Sequence, residues 1–283
     1  MGAEFRLRMT MREDRILSTK IELGYQHRNL ETLLQKESLF QNLPRISRLT
    51  AHAPLSHELA FLKSMESLLE LEVPLRSQLI RVLFCEGERI ISHLMNLGRM
   101  AYGAGLSYLL NLALDFKDQY ERLCEKIFHR RIFFEIFALG GLKSPISTSF
   151  LSLWVRFFEQ ALDLLEVFEV VLLKNRTFRD RTCRIGLLDK EKAQSFGWTG
   201  PNARAVGIPL DIRTLDADAV YEEIDFRPIL FQEGHAFSRT LLRFEEIKQS
   251  LQLMKACLKK IPHDSPPHKP EFTDSKKHHI SLD

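Results

Sequence analysis

Between Pro44 and Phe61 the sequence PRISRLTAHAPLSHELAF crowds two arginines able to hold an anion or a carbonyl oxygen, Arg45 and Arg48. It adds two imidazoles able to exchange a proton near neutrality, His52 and His57. Ala51, Ala53 and Pro54 keep the backbone around them uncluttered. The stretch reads either as a site at the mouth of a helix or as a polar loop capping a helical bundle, with Ser56 as N-cap. A second group, Glu86, Arg89 and His93, falls at offsets of three and seven on one helix face. It reads as a structural ion-pair network or as the wall of a binding cavity. His27 and Glu31, four apart and beside Arg28, form a third polar cluster on a shared face.

Several familiar chemistries fail on their own spacing. His57-Glu58 begins like the zinc signature HExxH, but the second histidine position holds Phe61. No GxxxxGK and no GxGxxG occurs, so nothing here holds a nucleotide by itself. His278-His279 carries no functional weight.

The elements that must position these residues are helical. A chain of 283 residues can bury a sizeable core, and a net charge of +3 gives no reason to expect nucleic acid as a partner. Cys85, Cys124, Cys183 and Cys257 lie far apart with no CxxC pair, and read as reduced, mostly buried thiols in a cytosolic setting. No apolar run reaches the ~18 residues of a spanning helix. In the nearest, Phe150 to Leu173, Arg156, Glu159, Asp163, Glu166 and Glu169 recur as one wet face. Membrane association is expected only through partner subunits.

In chain order, residues 1–24 are expected as a β-hairpin or extended segment turning at Glu13-Asp14. Residues 25–175 form the helical core. Helices are expected over Tyr25 to Leu43 (stopped by Pro44), Ser56 to Leu71, Leu75 to Met100, Asp115 to Phe137 (ended by Gly140-Gly141) and Thr148 to Asn175. Gly98, Gly103 and Gly105 are expected to loosen the exit of the third of these. Residues 176–237 read as a loop-rich insertion, rich in arginine and glycine, with minor β structure and one short helix, Asp189 to Phe196. A closing helix, Ser238 to Ile261, occupies 238–262, and 263–283 should be disordered.

Ordered matches across roughly residues 20–262 resemble one family. They are Gly24-Tyr25-Gln26-His27-Arg28-Asn29-Leu30-Glu31, Glu72-Val73-Pro74-Leu75-Arg76, and Ile80 through Leu83 to Glu86, Arg89, Ile90, His93 and Leu94. Farther on come Gly140-Gly141, Thr199-Gly200-Pro201 with Arg204, Ala205, Gly207, Asp211 and Arg213, then Tyr221, Asp225-Phe226, Arg239, Arg243, Glu246 and Ser250. The chain resembles the 49 kDa subunit of respiratory complex I, the NADH:quinone oxidoreductase, and the related large subunit of group 4 membrane-bound nickel–iron hydrogenases.

The resemblance implies a mainly α (α+β) fold, a bundle of long helices with small peripheral β elements. It implies a peripheral place on the cytoplasmic side of the inner membrane, beside an iron–sulfur subunit and membrane-arm subunits. The activity implied is that of a multi-subunit NAD(P)H/quinone-type oxidoreductase, with NADH and iron–sulfur clusters held by partners and quinone as the acceptor. Arg48, His52, His57, Arg81, Glu86, Arg89 and His93 would line the quinone cavity. His27, Arg28, Glu31, Arg76, Arg204 and Arg213 would serve interfaces or structure. Hydrogenases carry a pattern like RxCxxCxxxHxLAF, and here Arg48, His57, Leu59, Ala60 and Phe61 match while Thr50 and Ala53 replace the cysteines. Soft sulfur donors are what a nickel–iron centre takes, so none is expected. The tyrosine that complex I members offer to quinone falls at Ala51, leaving adjacent His52 as a substitute donor. The other reading is a catalytically silent structural subunit or truncated remnant that keeps the interfaces.

Overall fold

The computed structural model describes residues 5–262 apart from 26, 51–52, 132–134, 145, 148–149, 151, 216–218 and 225. Strand β1 (Arg6–Arg12) pairs antiparallel with β2 (Arg15–Glu22) around Glu13-Asp14. Glu13 takes the positive φ, 52°, that a tight hairpin turn demands. Alternation sets Leu7, Met9 and Met11 opposite Ile21, Thr19 and Ile16, yet both faces of the ribbon are exposed.

The single helix expected over 25–43 is two, α1 (Leu30–Lys36) and α2 (Leu39–Ile46). The break falls at Ser38, whose hydroxyl and amide both donate to the Gln41 side chain in a capping box. Asn42 Nδ2 then staples the joint, donating to the Leu34 and Glu37 carbonyls at 2.7 and 3.1 Å. Pro44 does not stop α2 but lies inside it as the sixth of eight residues, where it removes one amide donor from the ladder, and the helix runs only two residues further, to Ile46.

Helix α3 (Pro54–Leu68) starts on proline at its first position, so Ser56 is its third residue and not its cap. Helix α4 (Leu75–Gly103) spans 29 residues, about 44 Å. Helix α5 (Ser107–Phe128) begins and ends earlier than expected, after Gly105 at φ 90° and before His129 in the left-handed region. Phe137 belongs to β3 (Phe137–Ala138), which pairs with β4 (Gly141–Leu142), so Gly140-Gly141 makes a hairpin and not a helix end.

Helix α6 (Leu153–Phe168) widens into a π-helix over Glu169–Leu173, and the Asn175 side chain caps α7 (Arg176–Thr182) by accepting from Phe178 N. Short helices follow: α8 (Lys190–Ser195), α9 (Gly200–Arg204), α10 (Ile212–Leu215) and α11 (Ala219–Glu223). The minor β structure expected there is absent among the described residues. Helix α12 (Ala236–Lys260) closes the described chain, and the tail expected to be disordered lies outside the described residues.

Helix α4 is the axis, packed along α12 on one side and α5 on another. Gly98 does not loosen it. A Cβ there would sit 3.1 Å from Leu110 Cα, so glycine is what lets α4 and α5 approach. Between α4, α5 and α6 the rings of Phe84, Trp154, Phe157 and Tyr120 stack edge-on or tilted with centroids 5.3–6.3 Å apart. No described helix is long and apolar enough to cross a membrane. The architecture is mainly α with small strands.

Candidate functional site

Helix α4 carries its charges inward. Residues two apart on a helix point about 200° apart, so Glu86 and Glu88, both buried, serve opposite sides.

Glu86 faces α12 and the 204–226 region. It is fully buried and accepts from Tyr221 Oη at 2.6 Å, Ser250 Oγ at 2.7 Å, Arg89 Nε at 3.2 Å and Arg213 Nη1 at 3.2 Å. Burial alone would raise its pKa, but Arg89 and Arg213, with the two hydroxyls, outweigh it and hold the carboxyl at about 2. Arg213 is also bidentate to Asp211 at 2.9 and 2.8 Å and lies 3.9 Å over the Phe226 ring. Arg204 continues the chain of charges, binding Asp211 at 3.1 Å and Glu246 Oε1 at 2.7 Å. Asp211 and Glu246 each stay at about 2 for the same reason: burial works against them and their arginines, with His93 at Glu246, prevail. His93 Nε2 approaches Glu246 Oε2 at 2.9 Å, off the line of a hydrogen bond, so both buried atoms lack an aligned partner. Burial lowers the His93 pKa, with Glu246 opposing.

On the other side lie residues 47–50 and the start of α3, and charged side chains hold them in place. Arg28 Nη2 donates to the Arg48 and Leu49 carbonyls, both at 2.8 Å. Glu88 accepts from Leu55 N, Ser56 N and Ser56 Oγ at 2.9–3.0 Å. Glu58, fully buried, accepts from Ser47 Oγ at 3.4 Å and from the amides of Glu135 and Phe137 at 3.1 and 2.7 Å. Burial pushes both carboxyls up to about 7, because their hydrogen-bond partners are dipoles, joined at Glu88 only by a smaller pull from the Arg89 charge, and these offset it less than a bound guanidinium would. Arg81, one turn and more before Glu86, bridges Glu66 of α3 at 2.6 and 2.9 Å and the Ala138 and Gly141 carbonyls of the β3–β4 hairpin at 2.7 and 3.0 Å.

The structure brings Arg81, Glu86, Arg89 and His93 onto one helix, but in two separate clusters. His57 is exposed on α3 while its neighbour Glu58 is inside. Arg48 is exposed and donates to the Pro44 carbonyl at 2.5 Å. His52, with Ala51, lies outside the described residues. Arg204 and Arg213, expected to face partners or serve structure, are 3 and 6 % exposed and bond within this chain, which leaves them no partner-facing surface. Arg76 likewise ties α4 to the Ile146 carbonyl at 2.9 Å and to that of Pro262. His27 and Glu31 are exposed and share no helix face, since α1 begins only at Leu30 after Asn29 at φ 53°. Sequence reading misses Glu58, Glu66 and Glu88 as site-shaping residues. Their only signal is a charge at a position where helical periodicity puts the core. Among the described residues no three His, Cys, Asp or Glu side chains converge to hold a metal ion.

The sequence model of the family described as "Respiratory-chain NADH dehydrogenase, 49 Kd subunit" matches residues 105–281, running past Pro262, where the motif resemblance stops. Similar relatives bear the name of the D subunit of NADH-quinone oxidoreductase. That of Wolbachia sp. subsp. Brugia malayi is 31% identical over 272 residues, covering 92% of this chain and 70% of the relative. That of Rickettsia canadensis is 32% identical over 257 residues, covering 91% and 66%, and that of Rickettsia felis is 32% identical over 240, covering 85% and 61%. The chain thus spans about two thirds of the length of these relatives. An alignment over 92% of the chain has to include residues 44–61, so the held segment and the α4 network both fall within the likeness. This chain belongs to the family of the respiratory-chain NADH dehydrogenase 49 kDa subunit.

Proposed function

We infer that the chain is a subunit of a membrane-associated NADH:quinone oxidoreductase assembly, seated beside an iron–sulfur subunit and over membrane-arm subunits on the cytoplasmic side of the inner membrane. Residues 47–50 and 53–58 form part of one wall of the cavity where a quinone takes up electrons. One observation carries this reading: these residues are tied to three other parts of the chain, by Arg28 at 48–49, by Glu88 at 55–56, and by their own Glu58 to the amides of Glu135 and Phe137. Segments held this firmly by charged groups suit a preorganised binding wall. Electrons come from a partner's cluster, since the four cysteines here lie in different elements and make no cluster-binding set. Across α4 from that wall Glu86, Arg89 and Arg213 supply fixed charge, and His93 against Glu246 is the group able to take a proton. His52, next in sequence to the position of the missing tyrosine, donates to the acceptor in its place. Metal-hydride chemistry has no thiolate pair at Thr50 and Ala53 to support it.

The test is the complex purified through this chain and assayed for NADH-dependent quinone reduction and for hydrogen evolution. Quinone reduction without hydrogen evolution is expected. It should fall by about tenfold or more in the R89A/H93A double variant, and activity that survives both substitutions removes their site role. An unchanged H52A rate removes the donor role of His52. A second reading, a catalytically silent structural subunit, draws on the closure of the Glu86–Arg213–Asp211–Arg204–Glu246 network upon itself. Under it the complex fails to assemble without the chain, yet neither substitution touches turnover.

A further inference from the structure

The cavity reading depends on where residues 47–50 and 53–56 sit, and helix α3, which opens among them at Pro54, has an unusual start. Helix α3 opens on Pro54, which has no amide hydrogen, and its first backbone bond is His57 N to Ala53 O at 3.4 Å. The Leu55 and Ser56 amides are therefore orphans of the first turn, and Ala53, at the capping position, has no polar side chain to offer them. Glu88 of α4, only 5 % exposed, takes both: Oε1 accepts from Leu55 N at 2.9 Å, and Oε2 accepts from Ser56 N at 3.0 Å and Ser56 Oγ at 2.9 Å. The positive end of the α3 dipole thus rests on a carboxylate borrowed from another helix.

We propose that Glu88 is a positioning residue for the acceptor cavity: it acts as the N-cap of α3 from across the α3–α4 interface and thereby fixes the first turn of that helix, Pro54 to His57. The cavity half of this statement rests on the function proposed above; the capping half does not. Glu88 touches no acceptor itself. It acts through Leu55 and Ser56. Two residues away, Glu86 meets the arginines, so the two carboxylates of one helix turn divide between holding charge and holding backbone.

Residue-resolved amide hydrogen exchange on the full chain tests the capping. In E88A the Leu55 and Ser56 amides should exchange about tenfold or more faster, while the His93 and Leu94 amides farther along α4 keep their rates. The double variant A53D/E88A should restore protection at Ser56, because an aspartate at the capping position accepts from the third helical amide. Unchanged exchange at Leu55 and Ser56, or a rise shared equally by α4, overturns the capping. The near-isosteric E88Q decides the matter if E88A does not fold. In the purified complex, E88Q should raise the KM for a short-chain quinone several-fold with kcat within twofold. An unchanged KM alongside loosened amides overturns the cavity half and leaves the cap. A wild-type complex that reduces no quinone overturns the function above together with that half, and exchange still decides the cap.

Discussion

Glu86 and Glu88 sit two residues apart on one helix, both buried, and behave in opposite ways. Glu86 meets two guanidiniums and is held at about 2; Glu88, like Glu58 of α3, is hydrogen-bonded only to amides and a hydroxyl and is pushed up to about 7. Burial is common to all three, so the difference lies in the partner. A full opposite charge repays desolvation and locks the ionised form, whereas dipoles satisfy geometry but leave the proton exchangeable near neutrality. The α12 side of α4 is a closed electrostatic lock, and the α3 side is a backbone clamp.

The sharpest way to break this comparison is Arg213→Ala, which takes from buried Glu86 and Asp211 one of the two guanidiniums that each holds, leaving Arg89 and Arg204. It should cost about 3–5 kcal/mol in urea unfolding, and a loss below about 1 kcal/mol would mean that the lock is not closed. The next effect separates the two sides by pH. A carboxyl whose folded value is raised from 4.5 to about 7 contributes stability that is fully present below 4.5 and lost as pH rises through 7, roughly 3 kcal/mol for each of Glu58 and Glu88. Glu86, lowered to about 2, does the reverse: its contribution is present above 4.5 and fades as pH falls toward 2. His93, lowered by burial, also loses its contribution on acidification, so the difference between wild type and E58Q/E88Q is the readout. That difference should grow between pH 8 and 5; a flat one sinks the clamp. Tyr221→Phe removes the 2.6 Å bond to Glu86 and should cost about 1.5–3 kcal/mol, with the midpoint of acid unfolding moving upward. Finally Arg122→Ala, which removes an exposed ion pair with Asp118, should leave the urea midpoint in place and mark the floor for such charges.

How much of this is legible in the sequence depends on the range of the contact. The long helices α4, α6 and α12 follow from apolar spacing, and the hairpin from alternation around Glu13-Asp14, because those signals are local. Glu86, Arg89 and His93 stand out as a charged set, and ordered short motifs carry the family resemblance. Ser56 reads wrongly as a cap because serine before an apolar run is usually one; its true role depends on a carboxylate 32 residues away. Pro44 reads wrongly as a terminator because nothing local reveals how close α2 already is to its end. Most of the short helices of 176–235 escape a periodicity reading because contacts such as Arg239 to the Gly186 carbonyl at 2.8 Å hold that region in place.

The span of the Glu86 bonds has a consequence for biogenesis. Arg213, Tyr221 and Ser250 lie 127, 135 and 164 residues downstream of it. At about 5–20 residues per second of synthesis, α4 leaves the ribosome on the order of 10–30 s before the last of these partners exists. During that interval Glu86 has Arg89, three residues on, but lacks its three downstream partners, so α4 cannot complete its packing on that side. The bundle is therefore sealed last where its charge is greatest, and a nascent chain that stalls before α12 presents an open flank to chaperones and proteases.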